Sequence, residues 1–195
     1  MYEHLIYSEE GFYTMAQVAP GLKNRTLTLN GVSKAYAMTG WRVGYAGGPA
    51  ELIKAMELVQ SQMTVGTSMI SQWAAVAALT GPQDSLVNNL NIYRQRRKIV
   101  VEGLNTIPGM TCLWPDGAFY AFPDCSNFIG GTTTAGAKIN NDVDFCMALL
   151  REQSVTTVHG TAFGLSPHFR VSYAATDNAL SEALTRISAF CSGIH

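Results

Sequence analysis

Gly81-Pro82 constrains this chain more than any other pair of residues in it. Proline has no N–H to donate and its ring collides with the preceding turn, so a Gly-Pro step ends a helix and separates what lies on either side. Before it, residues 68–80 (SMISQWAAVAALT) are apolar nearly all round and read as a largely buried helix. After it, Leu86, Leu90, Tyr93, Val100 and Leu104 mark one face of a long amphipathic helix. Arg94, Arg96, Arg97 and Lys98 fall away from that stripe, and such a run reads as a solvated face rather than a binding patch. Two structural regions are expected, 1–82 and 83–195.

In the first region, residues 26–29 (TLTL) and 43–46 (VGYA) read as short buried strands, bounded by Asn-Gly and Gly-Gly-Pro. An irregular segment, 30–42, joins them. Beyond Pro49 the residues Leu52, Met56, Val59 and Met63 recur at helical spacing, with the proline near the first turn. The second region alternates differently: strand 110–114, a turn at Pro115-Asp116-Gly117, strand 118–122, helix 142–152, strands 154–159 and 168–173, and helix 177–191 behind an N-cap at Thr176. This pattern predicts a small α+β unit. The stretch 130–136 (GGTTTAG) reads as a surface loop.

A hydrophobic fraction of 47% in 195 residues supports a real core. Thirteen Lys and Arg against fourteen Asp and Glu leave a net charge of -1, with no basic stripe to follow a phosphate backbone, which argues against nucleic acid. No run approaches the roughly 20 apolar residues needed to cross a bilayer. Met1-Tyr2-Glu3-His4 does not open like a secretory signal, so neither a membrane partner nor export is expected and a cytoplasmic protein is. Cys112, Cys125, Cys146 and Cys191 are scattered, without a CxxC pair or a histidine at ligand spacing, and read as reduced, buried thiols with no metal site.

The chemistry concentrates in Gly31-Val32-Ser33-Lys34-Ala35-Tyr36-Ala37-Met38-Thr39-Gly40-Trp41-Arg42-Val43-Gly44. A lysine amine is nucleophilic only when unprotonated, which calls for a partly dry site and neighbouring positive charge. Lys34 lies between two apolar strands, with Arg42 across a loop that Gly40 is expected to let fold tightly. A guanidinium and a hydroxyl such as that of Ser33 suit a phosphate dianion.

This segment resembles the pyridoxal-phosphate attachment signature of class I aminotransferases of fold type I, and every position the signature constrains is satisfied. The resemblance implies an α/β fold: the C-terminal part of the cofactor-binding large domain, with a partial mixed sheet and helices, over 1–82, then a small α+β C-terminal domain over 83–195. It implies that Lys34 carries pyridoxal 5'-phosphate as a Schiff base, that Ser33 and Arg42 help hold its phosphate, and that Tyr2 in Tyr2-Glu3-His4-Leu5 contacts the ring oxygen. His168-Phe169-Arg170-Val171-Ser172-Tyr173-Ala174 resembles the substrate strand, so Arg170 is implied to grip the α-carboxylate through two parallel bonds. Pro115 to Pro123 and Ser71-Gln72 match family segments without a chemical role. His159-Gly160 stands where the family usually has Pro-Gly, and His159 reads as a loop histidine.

The resemblance implies an aminotransferase of amino acid metabolism, a homodimer moving an amino group between an amino acid and a 2-oxo acid, with aspartate and 2-oxoglutarate the first substrates to test. A carbon–sulfur lyase on the same fold, or a folded fragment without catalysis, are the other readings. The match falls on the latter half of a longer family protein. The aspartate that pairs with the cofactor's ring nitrogen there falls ahead of Met1, so impaired transfer is expected of the chain alone.

Overall fold

The computed structural model describes residues 1–195. Its backbone is an α/β chain whose contacts divide into two compact units, Met1–Leu90 and Asn91–His195.

The first unit is organised around an antiparallel hairpin. Strand β1 (Thr28–Gly31) pairs with β2 (Gly44–Gly47), Gly31 facing Gly44 and Thr28 facing Gly47. Both strands sit a residue or two later than their apolar runs predict, and apart from Gly31 they are not buried. What is buried instead is the chain just inside the hairpin: Val32 and Val43, with Ala75, form a small core against which Tyr36 and Met38 pack. Gly31 is required here, because a Cβ would stand 2.9 Å from the Val43 carbonyl oxygen.

Ahead of the hairpin, a short helix α1 (Met15–Val18) and a 3-10 turn (Pro20–Arg25) were not foreseen. Behind it, helices α2 (Ala50–Met63) and α3 (Met69–Thr80) form where the periodicity places them, and α3 stops at Gly81. The expectation of a buried α3 is corrected. Only Ser71 and Ala75 are buried on it, while Met69, Ile70, Trp73, Val76 and Leu79 are exposed. Apolar composition favours burial only where a second surface stands opposite, and the hairpin covers a single stripe. α2 buries nothing and exposes Leu52, Met56, Leu58, Val59 and Met63.

Helix α4 (Asp84–Asn105) follows, and the division between the units falls inside it. In the second unit, β3 (Tyr120–Ala121), β5 (Phe169–Ser172) and β4 (Val158–His159) form a three-stranded antiparallel sheet in the order β3-β5-β4. Helix α5 (Asp142–Gln153) begins at Asn141, whose side chain accepts from the Asp144 N–H at 2.9 Å, and α6 (Asp177–Ser192) begins at Thr176, as its N-cap signal predicts. The core is aromatic: Phe145 of α5 lies 5.0 Å from Phe169, 5.3 Å from Phe190 and 5.7 Å from Phe128, ring centre to ring centre. Arg96 of α4 reaches Asp177 at the start of α6 at 2.9 Å, and Arg97 lies over the Trp114 ring, so part of the run read as solvated is structural.

The expected strands are shorter than predicted, and 110–114 keeps only a bridge at Thr111. The stretch 130–136 is not a plain surface loop. Gly130 and Ile139 pair through their backbones, Thr132 and His195 exchange backbone bonds of 2.8 and 3.1 Å, and buried Thr133 donates its hydroxyl to Glu152. Threonine-rich chain with glycine at the bends suits such pairing, and low complexity concealed it.

Candidate functional site

Lys34 stands on the segment that links β1 to β2. It is half-buried, between buried Ser33 and Ala35, and the core of Val32, Val43 and Ala75 anchors the chain on either side of it. Two residues of this segment, Ala37 (φ 53°) and Arg42 (φ 55°), adopt left-handed backbone, which a side chain disfavours and which surrounding structure must impose. Gly40, expected to supply the tight bend, does not: it lies in a 3-10 turn (Thr39–Trp41), with open space where a Cβ would stand. Arg42 bends the chain itself. Its guanidinium is exposed and donates to the Thr39 carbonyl at 3.1 Å, which folds it back over the turn that precedes it.

The N-terminal residues lie against this segment. The Glu3 carboxylate accepts a hydrogen bond from the Asn30 amide, and the His4 ring meets Tyr36 edge to face at 6.0 Å. The Tyr2 carbonyl accepts from the N–H of Leu5, and Leu5 is fully buried. Tyr2, weak as a signal in the sequence, is thus carried beside the chain leading into Lys34 by Glu3, His4 and Leu5, which follow it. Burial first, and Glu3 second, push the Tyr36 hydroxyl above its usual range, so it stays protonated, and it donates to Gln83 at 2.9 Å. The Gln83 amide in turn caps the carbonyls of Ala78 and Gly81 at the end of α3. Asn30 and Gln83 carry no catalytic signature, and sequence reasoning missed both; their Asn-Gly and Gly-Pro-Gln settings were the only signal.

In the second unit, Arg170 lies on the middle strand β5, opposite Val158. It is half-buried and takes part in none of the chain's ion pairs. Instead its guanidinium carbon stands 4.4 Å from the centre of the Tyr120 ring and 4.5 Å from that of Phe163. A cation left without a carboxylate and held against aromatic rings keeps its N–H donors available to an anion. Nearby, the Nδ1 atoms of His159 and His168 are buried without a hydrogen-bond partner.

No group of His, Cys, Asp and Glu side chains could hold a metal ion, and no helix is long and apolar enough to cross a membrane. The four cysteines are buried and unpaired, as expected.

The model of the family described as Aminotransferase class I and II matches residues 1–187. An aspartate aminotransferase of Rhizobium meliloti (strain 1021) is 58% identical over 98% of this chain and 47% of its own length. An aspartate/prephenate aminotransferase of Cereibacter sphaeroides is 55% identical over 100% of this chain and 48% of its own. The crystal structure of the Rhizobium meliloti aspartate aminotransferase superposes with a TM-score of 0.95 at 56% identity, covering 100% of this chain and 49% of that one. A Thermus thermophilus aspartate aminotransferase solved with maleate gives 0.82 at 39% identity over 97% and 46%. The chain spans about half the length of the curated relatives it matches.

Proposed function

Because the chain belongs to the class I and II aminotransferases, whose aspartate aminotransferase members use pyridoxal phosphate, we propose that it takes part in moving an amino group from an amino acid to a 2-oxo acid, with the cofactor held on Lys34. The observation that carries the reading is the lysine segment: a half-buried lysine on strained chain, followed by an arginine in left-handed backbone, inside a matched family region.

The donors present suit the cofactor. Ser33 offers a buried hydroxyl and Arg42 an exposed guanidinium, donors that a phosphate dianion takes up. When bound, pyridoxal phosphate supplies an electron sink for charge developing at the substrate Cα. In this reading Lys34 would be the covalent anchor until the substrate's amine displaces it, and its freed Nζ would then take the proton from Cα and deliver it to the cofactor. The Tyr2 hydroxyl hydrogen-bonds the ring oxygen. Arg170 donates two parallel bonds to the α-carboxylate and so fixes the orientation of the bond that breaks.

The substrate we assign is aspartate, with 2-oxoglutarate as acceptor. The names of the relatives support this, and so does the maleate in the Thermus thermophilus structure, a dicarboxylate like both. We place the chain as the C-terminal part of a longer protein: residues 1–82 with the cofactor domain, 83–195 as the small domain, and the whole a cytoplasmic homodimer. The bare apolar faces of α2 and α3 support that placement, since surfaces of this kind are covered in stable proteins.

The test is spectroscopic. Pyridoxal phosphate added to this chain gives a visible absorbance band that Lys34→Ala lacks. A band that survives the substitution would remove Lys34 from its role. Product analysis of the whole protein then shows glutamate and oxaloacetate formed in equal amounts, and pyruvate with ammonia instead would replace transfer by elimination.

A further inference from the structure

The loop from Gly160 to His168 is held more firmly than its exposure suggests. Asp142, fully buried at the first turn of α5, accepts the Thr161 N–H at 2.7 Å, the Thr161 hydroxyl at 2.7 and 2.9 Å, and the Ser166 hydroxyl at 3.0 Å. One carboxylate therefore fixes both ends of the loop. Gly160 closes it, its N–H donating to the His168 carbonyl at 2.7 Å and its carbonyl accepting from Leu165 at 3.0 Å.

Phe163 sits at the crest. It is 47% exposed, so burial does not explain its place. It rests edge-on against Phe122 at 5.5 Å and lies 4.5 Å from the guanidinium carbon of Arg170. Tyr120, held on β3 opposite Ser172, lies 4.4 Å from the same carbon. One aromatic neighbour of the guanidinium thus comes from the sheet and the other from the loop. A guanidinium carries its donors on its edge, and rings over its faces leave that edge for a ligand while restricting rotation of the side chain. Less ordering then remains to be done when a carboxylate binds.

We propose that Asp142 is a positioning residue: its carboxylate sets the 160–168 loop so that Phe163, with Tyr120, holds the Arg170 guanidinium edge-on to an incoming carboxylate. This rests on the reading of Arg170 as the carboxylate grip.

The experiment follows the Nε–Hε resonance of Arg170 in this chain, identified by its loss in Arg170→Lys. The expected result is an Hε shifted upfield by the rings, with slowed rotation about the Nε–Cζ bond. Phe163→Leu and Asp142→Asn both return it towards the position of a free arginine, Phe163→Tyr restores it, and Leu104→Ala, a core change on α4, leaves it alone. If Asp142→Asn does not fold, Thr161→Val, which removes only the hydroxyl's bonds to Asp142, takes its place. Succinate then serves as the carboxylate probe. It moves the Hε of the unaltered chain, and Phe163→Leu binds it about threefold to tenfold more weakly, the range a cation–π contact of ordinary strength spans. An unshifted Hε in the unaltered chain, or one unmoved by both loop variants, overturns the proposal. A ring-shifted Hε that responds to the variants but not to succinate supports the aromatic clamp and removes Arg170 from its role as carboxylate grip.

Discussion

The side-chain amide of Asn30 donates to the carboxylate of Glu3, joining the N-terminal residues to the strand that leads into Lys34. The same asparagine accepts the N–H of Gly31 at 2.8 Å, so one side chain organises both the strand end and the segment docked on it. Asn30→Ala removes both bonds while leaving the hairpin register intact. The expected result is a loss of about 1 kcal/mol in stability to urea, with amide exchange at Leu5 accelerated more than at Gly44. Equal acceleration at the two sites would mean that the whole unit, rather than the docked segment, had loosened.

The second unit depends on Phe145, which is fully buried against three other phenylalanines. Phe145→Ala leaves a cavity at the centre of that cluster, and such truncations cost about 3–5 kcal/mol. Urea denaturation followed by far-ultraviolet circular dichroism measures it. A loss below about 1 kcal/mol would show that the cluster collapses into the space and that its packing is loose.

Much of this was legible in the sequence, for reasons that differ by residue. The α5 and α6 helices were readable because apolar spacing and a cap at Thr176 agree with the tertiary packing. The lysine segment stood out because it carries particular residue types at the offsets of a family signature, and the family, though not the role of Lys34, is what the comparison with known proteins shows. The burial of α3 was misread, since periodicity describes a helix face and not what stands opposite it. The left-handed residues Ala37 and Arg42 were invisible as well: nothing in an alanine or an arginine announces a positive φ, whereas Gly40 drew the expectation to itself. Asp142 looked like one more acidic residue in a first helical turn, and its partners Thr161 and Ser166 come together only through the fold.

Two glycines that look alike in sequence should behave differently. At Gly160 a Cβ would stand 1.9 Å from the Leu165 carbonyl oxygen and 2.7 Å from that of His168, both backbone atoms that cannot step aside. At Gly103 on α4 it would meet the Leu184 side chain at 2.6 Å, a flexible end that can rotate. Gly160→Ala is expected to cost more than about 2 kcal/mol and to broaden the amide signals of Thr161 and Phe163. Gly103→Ala gains helix propensity worth about 1 kcal/mol, which offsets the displacement of Leu184 and leaves stability nearly unchanged. Thermal melts of both variants decide it, and comparable losses would contradict the distinction between backbone and side-chain neighbours.

Burial pushes the thiols of Cys125 and Cys191 up to about 12 and that of Cys112 to about 11, from an ordinary value of 9.0. The unfolded chain therefore ionises these groups first. Their contribution to stability is fully present below about pH 9, where both states keep the proton, and is lost as the pH rises through the folded values. A Cys125→Ala, Cys191→Ala double variant lacks that dependence, while the lysines and tyrosines that titrate over the same range are common to both proteins and cancel. The stability difference between the original chain and the variant, measured by urea denaturation at about pH 8 and about pH 10.5, should thus fall with rising pH. A difference that stays constant over that range would mean the two thiols ionise as readily in the folded protein as in the unfolded one, and that water reaches them.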